Sequence, residues 1–296
     1  MVNMKEELLK ILACPMCKTA PLRYDRSPGT ETLTCSGCAG TYPVEKSIPH
    51  MLPDKIADNL SARDREWSTW SGKLENFIQW RKMTWNASTN AERLKIHVDA
   101  MKEKFVTFTG LRNSGKRIID IGSGDGGMKT VLGSCSYFGV DPLLIEGCPY
   151  DFPMVRAVGE YLPFRSGSFD AAILNQVLDH CNSVDDVLEE TMRVIGADGS
   201  IYVMQYIARG DSFAARIYNL LIKAYLAIKG VKNLDTKTRR YDRKDLVDFF
   251  RERFEAVESV EFSESQTFIR AARAKKEPKP SFEKPISMPA AGKQSC

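Results

Sequence analysis

Hydrophobic and polar positions follow a strand rhythm through the middle of this chain and a helical rhythm on either side of it. Over residues 116–207, the short apolar runs KRIIDIG, YFGVDP, MVRAV, FDAAILN and SIYVMQY are separated by turn-rich or helically spaced stretches. Runs of this length, rich in β-branched and aromatic residues and bounded by Gly, Pro and Asp, predict strands. Gly127 to Gly133 predicts a short helix after the first strand. SVDDVLEETMRVIG predicts a longer one: Ser183 is placed to cap it, Asp185 and Asp186 complement its positive end, and Gly196 can stop it. Strands alternating with crossover segments predict an α/β domain with a doubly wound, mostly parallel sheet. Beyond the fifth run, FAARIYNLLIKAYLAIKG predicts a strongly apolar helix and DRKDLVDFFRERF another. AVESVEFSE and TFIRAARA then predict a closing pair of strands, which brings the sheet to seven.

The flanking segments differ in texture. Residues 1–55 form a first unit, in which KEELLKIL reads as a short helix or a strand lead-in; Pro43, Pro49 and Pro53 leave room only for short strands. Residues 56–112 read as a helical linker or cap. They hold all four tryptophans, with Trp67, Trp70, Phe77 and Trp80 at helical spacing, a pattern that packs a helix onto a neighbour. Residues 113–275 contain the sheet, and the proline-rich, polar residues 276–296 read as a disordered tail.

Composition narrows the classes. A chain of 296 residues with 43% hydrophobic and 27% charged residues buries a real core. The net charge of +4 comes from 42 basic and 38 acidic residues interspersed, a mild balance that does not point to nucleic acid. Met1 to Lys10 is amphipathic rather than a leader, and no run reaches ~18 apolar residues, so a cytoplasmic location is the expectation.

Chemistry enters with the cysteines. Cys14, Cys17, Cys35 and Cys38 give C-x2-C-x17-C-x2-C. Two residues between thiolates let both sulfurs of a knuckle reach one ion at about 2.3 Å, and two knuckles complete a closed tetrahedral site, structural rather than catalytic. Zinc is the expected ion.

The first sheet strand runs into IIDIGSGDGG. Its glycines satisfy both the G-x-G-x-x-G of dinucleotide folds (Gly122, Gly124, Gly127) and a G-x-G-x-G turn (Gly122, Gly124, Gly126). Charge separates the two. Asp120 and Asp125 flank the turn and would oppose a pyrophosphate but attract a cation; unit charges 4 Å apart interact by about 4 kcal/mol at an effective dielectric of ~20. Asp141, which closes the second strand, can accept two ribose hydroxyls in either case.

Two resemblances extend this reading. LLKILACPMCKTAPL with LTCSGCAGTYPVEKSIPHML, over roughly residues 5–53, resembles a small zinc-ribbon family whose best-known member activates tRNA, rRNA and release-factor methyltransferases. GEYLPFRSGSFDAAIL and LNQVLDHCNSVDDVLEETMRVIGADG, with the glycine turn, resemble class I S-adenosylmethionine-dependent methyltransferases of the small-molecule and lipid-quinone group over about residues 116–207. That resemblance implies a Rossmann-like sheet. It implies Asp120, Gly122, Ser123, Gly124 and Gly126 around the methionine moiety of the cofactor, and Asp141 at its ribose. Pro142 and Leu143 follow, with Leu143 and Leu144 flanking the adenine; Glu160 and Tyr161 lie at the end of strand three, near the adenine; Asn175 and Gln176 face the transfer site. Where the family often has an adenine-binding Asp, this chain has Val158.

For the transfer itself, His180 is the candidate general base with Asp179 beside it; the alternative is a structural histidine bonding a loop carbonyl. The chain reads N-Q-V-L after strand four, not N-P-P-Y, which argues against amide and exocyclic-amine acceptors. Residues 213–230 form either a lid helix or an amphipathic helix touching a membrane surface, and Arg239, Arg240 and Arg243 are candidates for a phosphate or sugar acid. Three functions are compatible: O-methylation of a small-molecule or glycan or lipid-linked acceptor; RNA methylation, disfavoured by an all-cysteine second knuckle and no basic face; and non-catalytic partner binding, which the intact glycine turn and Asp141 oppose.

Overall fold

The computed structural model describes residues 6–27, 29–53, 88–145, 147–181, 183–207, 241–263 and 265–275. The tryptophan-bearing stretch, the apolar segment 213–230, Arg239 and Arg240, and the tail 276–296 lie outside the described residues.

KEELLKIL resolves as a helix, α1 (Glu6–Ile11), with Glu6 and Glu7 at its positive end and Leu8 and Ile11 buried. An antiparallel sheet follows: β1 (Arg23–Ser27), β2 (Thr30–Thr34), β3 (Thr41–Glu45) and β4 (Ile48–Pro49), in that spatial order. Then come α2 (Ser88–Thr109), β5 (Arg117–Ile121), α3 (Lys129–Leu132), β6 (Ser136–Val140), β7 (Met154–Val155), β8 (Ala171–Asn175), α4 (Val184–Ile195), β9 (Ser200–Tyr206), α5 (Arg243–Arg253), β10 (Phe254–Ser263) and β11 (Gln266–Ala274).

The large sheet has seven strands in the order β10-β11-β9-β8-β5-β6-β7. β5, β6, β7, β8 and β9 are parallel, and the β10–β11 hairpin is attached antiparallel to β9. This is the expected doubly wound topology. The middle strands are mainly apolar because both faces are covered, with Asp120 and Gln205 as the buried polar exceptions. On one face Ile119, Ile121, Ala172, Leu174, Ile201 and Val203 pack against α4 and α5; on the other Ile118, Ala171, Ile173, Tyr202 and Met204 meet Met101, Phe105 and Val106 of α2. The expected caps of α4 are present: Ser183 accepts a hydrogen bond from Asp186 N, and Gly196 closes the helix onto Met192 O.

Two observations depart from the sequence-based expectation. The third strand is Met154–Val155 instead of the run MVRAV, because the next residue, Arg156, pairs with the N-terminal unit: Met51 N donates to Arg156 O (2.8 Å) and Arg156 N donates to Pro49 O (2.9 Å). The small sheet thus continues the large one beyond its β7 edge. A second junction joins α1 to the loop before β8, with Ala13 N on Pro163 O (3.0 Å) and Arg165 N on Ile11 O (2.9 Å). Lys18 reinforces it through an ion pair to Glu190 (2.5 Å) on α4. One hydrophobic cluster accordingly runs from Leu8, Leu12, Leu33, Tyr42 and Met51 into Ile119, Phe138, Val155 and Phe164. Arg243 is the other departure. Expected as a phosphate ligand, it is committed to the β10–β11 hairpin through Glu261 (2.8 Å) and the carbonyls of Ser263 and Gln266.

Candidate cofactor cleft and metal centre

The two cysteine knuckles are built alike. Cys14 N bonds to Thr19 O and Lys18 N to Cys14 O; Cys35 N bonds to Gly40 O and Ala39 N to Cys35 O. Lys18 and Ala39, each directly after the second cysteine, both turn with positive φ (59° and 58°), which folds the two thiols of a knuckle onto the same side. All four sulfurs lie within 4.8 Å of one another, with Cys14 and Cys38 at 3.6 Å and Cys17 and Cys35 at 3.4 Å. A tetrahedral ion with bonds of about 2.3 Å needs sulfur separations near ~3.8 Å, so these residues fit one thiolate-bound metal with no open position. Gly37 N adds a donor to Cys35 Sγ (3.3 Å).

The second site lies at the carboxyl ends of the parallel strands, where open α/β sheets hold ligands. β5 delivers Asp120 and the glycine turn, β6 delivers Asp141, and β8 delivers Asn175 and the turn that follows it. Gly122 (φ +73°) must be glycine: a Cβ there would sit 2.4 Å from a Val177 methyl, so the turn after β8 packs directly on the glycine turn. Gly126 (φ +78°) is equally constrained, since its Cβ would meet the Phe152 ring at 2.2 Å. Gly126→Ala should lower stability by about 2 kcal/mol or more, from ring displacement plus the left-handed φ. Gly147→Ala, at the same φ of +78° but with nothing within 4 Å, should cost only about 1 kcal/mol. Urea denaturation of the two variants measures the difference; equal midpoints would refute the contact.

The acidic groups form a graded set. Asp120 is 1% exposed; its Oδ2 accepts from Tyr137 Oη (2.5 Å), whereas its Oδ1 is buried with no hydrogen-bond partner. Burial is the main cause that pushes this carboxyl up to about 7; the Tyr137 bond opposes the rise, and the charges of Asp141 and Asp125 add to it. Asp141 accepts from Gly124 N (2.9 Å) on one oxygen and Leu143 N (2.8 Å) on the other, which latches the glycine turn to the loop after β6. Burial raises it to about 6 against those two bonds. Asp125 is at the exposed rim, its Oδ1 accepting from Gly127 N (3.1 Å). The acids turned into the cleft are therefore the buried Asp120 and the half-buried Asp141, not the Asp120 and Asp125 pair that flanks the turn in sequence. Sequence reading missed two neighbours. Lys102, from α2, brings its ammonium over Gly127. Tyr137 reads as one more core aromatic on a strand.

The other expected residues are distributed as follows. Ser123 is buried, its hydroxyl 3.5 Å from Met154 Sδ. Pro142 offers its carbonyl to Arg156 Nε (3.0 Å), and Leu144 packs in the α2-side core next to Leu143. Glu160 and Tyr161 sit on a 3-10 turn (Gly159–Tyr161) well past the short β7, so their placement at the end of strand three is corrected; Tyr161 is exposed, and Glu160 accepts from Ser183 N (3.4 Å). Asn175 Oδ1 is buried without a hydrogen-bond partner, on the same sheet face as Asp120. Gln176, in the left-handed region (φ 57°), points its amide oxygen at Tyr206 N (2.8 Å) and so locks the ends of β8 and β9 together. Asp179 is buried, with His180 Nε2 3.8 Å from its Oδ1 and the imidazole partly exposed.

Comparison with known proteins agrees with both halves. Residues 119–203 match the family described as methyltransferase domain, and residues 5–47 match the Trm112p-like protein family. A UPF0434 protein of Methylobacillus flagellatus is 42% identical over 52 residues, 18% of this chain and 82% of that protein. The protein MJ1252 of Methanocaldococcus jannaschii is 32% identical over 161 residues, 48% of this chain and 63% of its own length. UbiE of Ectopseudomonas mendocina, named as a C-methyltransferase of ubiquinone/menaquinone biosynthesis, is 24% identical over 141 residues, 42% of this chain. The chain thus spans 63% and 55% of the lengths of the last two. Through its N-terminal unit the chain belongs to the UPF0434 family of Trm112p-like proteins, and it joins that unit to a segment, residues 119–203, that matches the methyltransferase-domain family.

Proposed function

We propose that the protein transfers a methyl group from S-adenosylmethionine to a hydroxyl oxygen of a small-molecule, glycan or lipid-linked acceptor. The observation that carries the cofactor assignment is the pair of buried acceptors without hydrogen-bond partners, Asp120 Oδ1 and Asn175 Oδ1, on one sheet face beside the glycine turn. A buried carboxylate and a buried amide oxygen suit a ligand that brings N–H donors and positive charge; a diphosphate brings neither. Asp141 spends one lone pair per oxygen on main-chain N–H groups and keeps the others for a vicinal diol. Ser123, Gly124 and Gly126 shape the turn, Pro142 and Leu143 carry the loop after β6, and Glu160 and Tyr161 are assigned to the adenine side. Gln176 holds the floor of the transfer site through Tyr206 N.

The cofactor supplies an activated methyl on a sulfonium. The chain's own task is to align an acceptor oxygen and take its proton. His180 is the assigned base, and Asp179, 3.8 Å from its Nε2, stabilises the imidazolium that forms. The relation to a quinone-pathway methyltransferase supports a small or lipid-linked acceptor. Among the described residues no helix is long and apolar enough to cross a membrane.

Labelled-methyl transfer to cell extract separated into RNA, protein, lipid and small-molecule fractions tests this reading. Label is expected in the lipid or small-molecule fraction, in a base-stable linkage characteristic of an ether. Label confined to RNA would replace the proposal by the nucleic-acid reading, and none in any fraction would defeat it. His180→Ala should slow transfer by about a hundredfold with cofactor affinity unchanged; undiminished turnover would make His180 structural.

A further inference from the structure

We propose that Tyr137 is the positioning residue of this cleft: its hydroxyl holds one oxygen of Asp120 and thereby commits the other, Oδ1, to the cationic end of the methyl donor. The inference rests on the cofactor reading above and assigns a role to a residue outside every motif that pointed to it.

The geometry is a diagonal across two parallel strands. Ile118 is in register with Tyr137, and Asp120 with Gly139. Tyr137 and Asp120 therefore share a sheet face two residues apart. Gly139, between them on that face, has no side chain, and Phe152, Ser123 and Met154 close over it. The phenol crosses that diagonal to donate to Asp120 Oδ2 at 2.5 Å. Tyr137 is itself 4% exposed and set edge-on against Phe152, with ring centroids 5.0 Å apart. Phe152 in turn occupies the space that Gly126 and Gly139 leave. The hydroxyl is thus fixed by the same ring that shapes the glycine turn. A carboxylate with neither oxygen anchored would rotate; with Oδ2 tied, Oδ1 is held as an acceptor of fixed direction.

The bond has a second consequence. Donation to a carboxylate stabilises its charged form, and here it opposes the burial and the neighbouring Asp141 and Asp125 charges that favour the protonated one. The groups facing Asp120 are Tyr137 of β6, Asp141 after β6, Asp125 of the glycine turn and Lys102 of α2. Of these, only Tyr137 and Lys102 favour the carboxylate, and only Tyr137 is hydrogen-bonded to it. Removing the hydroxyl should therefore raise the pH at which Asp120 becomes charged by about one unit.

The test is calorimetric titration of S-adenosylmethionine into the full chain and its Tyr137→Phe variant between pH 5.5 and 9, with Asp120→Asn and the double variant completing a cycle. The wild-type chain should bind more tightly as pH rises through about 7. In Tyr137→Phe that limb should move up by about one unit and affinity at pH 7 should fall about fivefold. The donor's own amine titrates identically in both proteins, so the difference isolates Asp120. In the Asp120→Asn background, Tyr137→Phe should change nothing. A merely structural tyrosine would lower the melting temperature and leave the limb in place, and that result, or an equal loss in the Asp120→Asn background, would overturn the proposal. If the wild-type chain fails to bind S-adenosylmethionine at any pH, the cofactor reading itself falls.

Discussion

Removal of the metal from the four-cysteine cluster should destabilise the whole chain, sheet included, in a single transition. β1, β2 and β3 have five residues each and β4 has two, too little to hold a fold by their own burial. Structural zinc contributes about 10–16 kcal/mol to folding in small peptides, as much as the entire stability of an ordinary domain. The N-terminal unit is not insulated from the rest. Leu12, Met51 and Tyr42 lie in one continuous core with Val155 and Phe164, and Arg156, directly after β7, makes both of its backbone hydrogen bonds with residues 49–51. Melting the knuckles would strip that face of its cover. Even a loss of about 4 kcal/mol should lower the melting temperature by about 8–16 °C for a chain of this size. Scanning calorimetry of chelated protein, and of Cys35→Ser, should show one depressed transition, and elemental analysis of the native protein about one zinc per chain. A sheet transition that stays in place while a separate, small one disappears would show that the two units fold independently.

Neutralising the acidic pair Asp120 and Asp141 should be the most damaging change to cofactor binding. Each of Asp120 and Asp141 offers a charge-assisted interaction worth about 1.5–3 kcal/mol, so Asp120→Asn with Asp141→Asn should weaken S-adenosylmethionine binding by roughly a thousandfold. The pH dependence carries the sign. Both carboxyls are raised in the folded protein, Asp120 to about 7 and Asp141 to about 6, from an ordinary 3.8. The cofactor-free protein therefore loses stability as pH climbs from about 4 to about 7, while a cationic ligand needs the charged forms and gains affinity over the upper part of that window. Binding near pH 6.5 should accordingly release protons, seen as a dependence of the observed enthalpy on the ionisation enthalpy of the buffer. Binding without proton release would mean that the two carboxyls are already charged and the cleft is wetter than its burial implies.

Much of this was legible in the sequence because it is local. Knuckle spacing fixes where four thiols can meet, the caps Ser183 and Gly196 bound their helix, and short apolar runs between turns give the strands and their parallel order. What was not legible depends on pairs distant in the chain. Nothing around Arg156 indicates that its backbone will join residues 49–51 in place of a longer β7. Arg243 sits in a basic run that reads as a ligand site, yet two carbonyls and Glu261 on the closing hairpin claim its guanidinium. Asp125 flanks the glycines in sequence but turns to the rim; the second acid of the cleft, the half-buried Asp141, comes from another strand. Tyr137 was invisible for a related reason: an aromatic on a strand predicts packing, and only the register of β5 against β6 brings its hydroxyl to Asp120.

The decisive question is which kind of nucleotide the acidic cleft accepts. Parallel calorimetric titrations of the 296-residue protein with S-adenosylmethionine and with NAD, at pH 8, above the raised values of Asp120 and Asp141, answer it. Saturable one-to-one binding of S-adenosylmethionine with no detectable heat from NAD is expected. Tight binding of NAD, or S-adenosylmethionine affinity that survives in the Asp120→Asn, Asp141→Asn protein, would contradict it.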